Sequence, residues 1–169
     1  MDGQMAALFL GLSLLDMGTN HCPDECLGRS PMDARWAVSV GSVLFQDDDL
    51  GGELYIRRDF GTAFGPFQPS VGLSLTDDGS GWVGAGFQYT AHLSERLYYQ
   101  GHLMPGLYAQ GDGADLGSVL EFRSGIELGY EAPNGVRYGL SFDHRSNADI
   151  VAANPGLETL QFRISIPTR

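Results

Sequence analysis

Lysine is absent from this 169-residue chain; all ten basic residues are arginine, against 21 acidic ones, for a net charge of −11. Nucleic-acid partners need a basic face, so that balance excludes them. Only two cysteines are present, Cys22 and Cys26, too few for a disulfide framework. No apolar run reaches the roughly 18 residues of a membrane-crossing helix, and helical periodicity is scarce. Charged residues make up only 18% of the chain, whereas glycine is abundant at 24 residues. The length suits one domain.

What fills the chain from residue 36 onward is two-residue alternation, the signature of strands. Eight strands are expected: Trp36–Phe45, Gly52–Phe60, Pro66–Leu75, Trp82–His92, Arg96–Ala109, Ser118–Tyr130, Gly135–Ser146 and Glu158–Ile166. One face carries Leu54, Ile56, Leu120, Phe122, Ile126, Leu128 and Tyr130. The other carries Glu53, Tyr55, Arg57, Asp59, Glu121, Arg123, Glu127, Arg137, Asp143, Arg145 and Arg163. A soluble barrel or sandwich would bury the apolar face and wet the charges. An eight-stranded antiparallel up-and-down transmembrane barrel would do the reverse.

The connections favour the membrane barrel. Alternate loops are acidic: Asp47-Asp-Asp49, Asp77-Asp78, Asp112 with Asp115, and residues 147–157 with Asp149. In a meander these four share a rim, while the intervening turns are shorter, as in outer-membrane barrels. Arg145 then points inward, where Asp143, Glu121 or Glu127 are the acids available to neutralise it. His102 falls on the interior face, and Trp36, Trp82 and Tyr130 near strand ends fit an interfacial aromatic girdle.

The first 35 residues differ in character and stand apart from the barrel domain, residues 36–169. Ala6 to Leu15 resembles the apolar core of a secretory leader. Yet no basic residue precedes it, and Asp2 and Asp16 flank it, so a disordered N-terminal segment remains the alternative. Cys22 and Cys26 suit a local disulfide in an oxidising compartment; zinc is the weaker alternative, with only His21 beside them.

Chemistry concentrates at His144-Arg-Ser146-Asn147 and Glu158. Alternate residues of a strand share a face, so His144 and Ser146 point the same way. A serine hydroxyl becomes a nucleophile when a base takes its proton, and a carboxylate that orients the base improves it. His144 suits the base, Ser146 the nucleophile and Glu158 the orienter. The Asn147 amide and backbone N–H groups at Ala148 and Asp149 are candidate donors to an oxyanion. An ionisable pair on a lipid-facing surface is costly unless it pairs.

The run Tyr138-Gly-Leu-Ser-Phe-Asp-His-Arg-Ser-Asn-Ala148, followed by Asn154-Pro-Gly-Leu-Glu158 and an alternating last strand, resembles the PagL-type lipid A deacylases. The likeness is confined mainly to residues 120–166. It implies an outer-membrane barrel that hydrolyses the ester at the 3 position of lipid A, releasing a 3-hydroxy fatty acid without a metal or other cofactor. It also implies catalytic roles for His144, Ser146 and Glu158, with Asn147 and Ala148 at the oxyanion hole. The partners implied are lipid A of lipopolysaccharide and the surrounding lipid, with the protein acting as a monomer or homodimer. The leader and the C-terminal Pro-Thr-Arg169, which lacks a final aromatic, depart from the usual barrel pattern. Rival expectations are a catalytically inert membrane barrel and a soluble lipid-binding barrel.

Overall fold

The structure, a computed structural model, describes residues 3–46 and 48–168; Asp2 and Asp47, noted above, lie outside the described residues. Eight strands close into one antiparallel barrel: β1 (Ala34–Phe45), β2 (Asp48–Asp59), β3 (Gln68–Thr76), β4 (Gly81–His92), β5 (Leu97–Ala109), β6 (Leu120–Glu131), β7 (Arg137–Ser146) and β8 (Leu157–Thr168). Each pairs with its sequence neighbour, and β8 closes on β1. The eight-strand expectation holds, with boundaries displaced by a few residues. Strands of nine to thirteen residues, rising about 3.3 Å per residue and tilted by about 45°, span about 21–30 Å, a match to the roughly 25 Å apolar band of outer-membrane barrels.

Alternation decides which way each side chain faces. Leu54 is 45% exposed, and Leu73, Val83, Leu107, Leu128, Leu140 and Phe162 are likewise uncovered on the outer wall. Every charged residue assigned above to the polar face is buried in the lumen. A soluble barrel would show the opposite, so the inverted arrangement is a membrane barrel's.

Buried charges are tolerable only when paired and hydrogen-bonded. Arg123 binds Glu53 (2.7 Å) and Asp143 (2.7 Å); Arg163 binds Glu127 (2.6 Å); Arg57 binds Asp59 (2.8 Å). Gln161 donates to Glu53 (2.6 Å) and Arg57 to Gln100 (2.6 Å). Arg145 does point inward, but its carboxylate partner is Glu53 of β2 rather than Asp143, Glu121 or Glu127. The bond forms across the lumen, to a strand that is not a neighbour of β7. Trp82 is a second correction. It is 1% exposed, inside the barrel beside Tyr55, and its indole N–H donates to the Glu121 carbonyl (3.2 Å). Gly84 and Gly106 make room for it: a Cβ at either would lie 2.3–2.5 Å from the indole ring. Trp36 and Tyr130 stay on the outside, and His102 is inside as expected.

Before the barrel, the Ala- and Leu-rich run forms helix α1 (Gln4–Asp16). No helix among the described residues is long and apolar enough to cross a membrane. This one lies along the outer wall against β5 and β6, burying Phe9 against Phe67 and leaving Leu8, Leu12 and Leu15 uncovered. A π-helical turn (Met17–His21) and a Cys22–Cys26 disulfide follow. Two short strands, Arg29–Pro31 and Thr62–Phe64, pair at the opposite rim from the acidic loops.

Candidate active site

The last residues of β7 and the first of β8 meet at the acidic rim, joined by the loop of residues 147–156. Register puts Glu158 directly opposite His144, and the Nδ1 of His144 lies 3.8 Å from a Glu158 carboxylate oxygen. That exceeds a hydrogen bond but is ordinary for a catalytic pair that tightens once substrate is bound. Ser146 follows His144 by two residues on the same outer face, opposite Phe122 of β6. His144 is 3% and Ser146 6% exposed, whereas the Glu158 side chain keeps 30% of its surface accessible. An outward-facing pair this well covered is shielded by its neighbours.

A cavity of about 320 Å³ opens beside Ser146, walled by Leu103, Phe122, Ser124, Ala148 and Asn154, with Gly3 and Ala6 of the helix segment on its far side. An acyl chain suits such apolar walls.

The loop after Ser146 is shaped by hydrogen bonds that sequence spacing did not reveal. Both N–H bonds of the Asn147 amide are used, one to the Leu116 carbonyl (3.1 Å) and one to that of Ala153 (2.7 Å). Its backbone N–H donates to the Asn154 side chain (2.9 Å), whose amide in turn donates to Asp149 (2.9 Å). Asn147 is therefore the buried tie of the loop, and its amide is turned away from the donor role expected for it. Ala148 and Asp149 both take left-handed backbone (φ 54° and 59°), a conformation non-glycine residues rarely adopt and one concentrated at functional sites. Their backbone N–H groups make no hydrogen bond among the described residues.

No group of three or more His, Cys, Asp or Glu able to hold a metal occurs among the described residues. His21 and the two cysteines form no zinc site, since the sulfurs are joined to each other. Asn154 and Ser124 are the site residues that sequence reasoning passed over. Asn154 was visible as part of Asn-Pro-Gly; Ser124 was visible only as a polar break in an apolar stripe.

The closed barrel and its inverted polarity define an outer-membrane barrel. The family model for Lipid A 3-O-deacylase (PagL) matches residues 32–167, and the chain belongs to that family. Its place is therefore the bacterial outer membrane and its substrate class lipid A. Among curated proteins none matches the sequence. Of solved structures, the crystal structure of the outer membrane enzyme PagL is similar at TM-score 0.64 and 18% identity, over 80% of this chain and all of that one. A designed transmembrane barrel, TMB2.3, follows at TM-score 0.56 and 12% identity, over 83% and 97%. Neisserial surface protein A reaches 0.50 at 13% identity, over 83% and 99%. At these identities the likenesses report the fold.

Proposed function

We propose that this chain is a serine esterase that removes the 3-O-linked 3-hydroxyacyl chain from lipid A, with His144, Ser146 and Glu158 as its triad. The observation that carries it is the row across β7 and β8: Glu158 opposite His144, with Ser146 two residues further along the same outward face. That face meets lipid at the rim where the headgroup of an outer-leaflet glycolipid begins.

In the reaction the Ser146 Oγ attacks the ester carbonyl carbon while His144 takes its proton. Glu158 holds the imidazole and stabilises its cationic form. The negative oxygen of the tetrahedral adduct is received by the N–H groups of Ala148 and Asp149, fixed by the Asn147 tie; one such donor is worth about 2.7–4 kcal/mol. Collapse breaks the carbonyl–oxygen bond to the sugar, and His144 returns the proton to the departing 3-oxygen. Water, deprotonated by His144, then attacks the acyl-enzyme, frees the 3-hydroxy fatty acid and restores Ser146. No step calls on a cofactor. One chain supplies every group, so a monomer suffices; the catalytic barrel runs from Ala34 rather than residue 36, and the N-terminal segment packs on its outer wall through α1.

The test is the mass of lipid A from an outer membrane carrying the chain, beside Ser146→Ala. Loss of one 3-hydroxyacyl group, abolished by the substitution, supports the reading. Unaltered lipid A around a folded, inserted barrel would leave an inert barrel in its place.

A further inference from the structure

Leu103 belongs to two cavities at once. It walls the one beside Ser146, and it also walls a second of about 540 Å³, bounded by Ala85 and Phe87 of β4, by Phe67, and by Phe9 and Leu10 of α1. The side chains lining the second cavity are all apolar. Register gives the direction in which the two follow each other. Glu158, His144, Ser124, Leu103 and Phe87 stand opposite one another in turn, one row across five strands. At about 4.8 Å between neighbouring strands, His144 to Phe87 spans on the order of 14 Å. The row is polar at the end that holds the ester-cleaving groups and apolar from Leu103 onward.

Lipid that merely solvates an outer wall meets no limit on the length of its chains. Here part of the wall is faced by α1, which packs over β5 and β6. Gly101 of β5 permits the approach, since a Cβ there would lie 3.3 Å from the Phe9 ring. Ala85, exposed between Val83 and Phe87 on the outward face of β4, leaves room on the wall side of the second cavity. A chain held between two protein surfaces is bounded. Each further methylene buried adds affinity until the space ends, after which it adds none.

Resting on the esterase reading above, we propose that the two cavities form one channel for the scissile 3-hydroxyacyl chain, and that Leu103 and Ala85 set the chain length it accepts. The ester carbonyl sits at Ser146, the chain passes Leu103 across the strands and beneath α1, and its methyl end lies over Ala85. The plain alternative is that the acyl chain runs down the wall in bulk lipid and α1 only packs on the barrel. Side chains at positions 85 and 103 would then have no bearing on chain length.

The purified full chain in detergent is assayed on synthetic lipid A species that differ only in the group at position 3, from 3-hydroxyhexanoyl to 3-hydroxyhexadecanoyl. Leu103→Trp fills the passage between the cavities, and Ala85→Leu fills only the far one. Both positions face outward, so the packed lumen is left alone. Ala85→Leu should lower kcat/KM by roughly 10-fold for the longest chains, as expected when a hydrophobic pocket loses space for about one methylene, and leave the shortest unchanged. Leu103→Trp should move the cut-off to shorter chains still. Leu73→Phe, on the exposed outer face of β3 and outside both cavities, should move nothing. A cut-off that neither variant moves, or a loss equal at every chain length, would overturn the channel while leaving the esterase reading in place. Cleavage of no chain length by the folded, unsubstituted barrel would remove the esterase reading and the channel with it.

Discussion

His144 and Arg145 are adjacent and both buried, yet they belong to different worlds: one faces the site on the outer wall, the other the packed lumen. Strand geometry alone produces that separation. On the outer side, Ser146→Ala should cut lipid A turnover by at least about 10³-fold and His144→Gln by a similar factor, because the two act as a unit. Glu158→Ala should cost less, on the order of 10²-fold, since the nucleophile and base remain; kcat on purified barrel would show the order of effects. On the inner side, Glu53 accepts from Arg123, Arg145 and Gln161. Glu53→Leu leaves the buried Arg145 without its carboxylate and Arg123 with Asp143 alone, and stability should fall by about 3–5 kcal/mol. Denaturant unfolding in detergent measures that, and a loss under 1 kcal/mol would mean that the network contributes little.

The strand β7 and the loop that follows it are the element on which the site depends. Asn147 and Asn154 hold the loop by side-chain bonds to Leu116, Ala153 and Asp149, and the strained Ala148 and Asp149 lie between them in sequence. Asn154→Ala removes the acceptor of the Asn147 backbone N–H and the donor to Asp149. It should lower kcat by about 10-fold or more while leaving the barrel's melting temperature nearly unchanged, because the loop adds little to the closed sheet. Equal loss of both would show instead that the loop is part of the barrel's stability. Periodicity showed where β7 ends and that His144 and Ser146 share a face. It could not show the loop's internal bonding, which depends on Leu116 arriving from the β5–β6 connection, 31 residues earlier in the chain.

As a whole molecule the barrel is plugged rather than open. Arginine–carboxylate pairs and the cluster of Tyr55, Trp82, Met104 and Tyr108 fill the lumen. Reconstituted into a planar bilayer, the protein should therefore show no steady ion conductance, and a stable open channel would contradict the packed interior. Aromatic placement illustrates how far sequence reasoning reaches at this scale. Nearness to a strand end suggested a girdle position for Trp82, but it shares parity with Gly84, Gly86 and Gln88 while Val83, Ala85 and Phe87 face outward. That parity was legible; the space the glycines leave for the indole was not.

Local chain chemistry by itself determined the strands, their two faces, the acidic rim and the shared orientation of His144 and Ser146. Each follows from a two-residue period that a single strand already displays. Tertiary structure alone decided that Glu53 neutralises Arg145, that α1 rests on the wall beside the site, that the Asn147 amide is spent on the loop, and that Ser124 stands across from His144. These depend on the register between strands and on closure of the sheet. Both are settled by the packing of the whole lumen and wall together, and no stretch of sequence carries them alone.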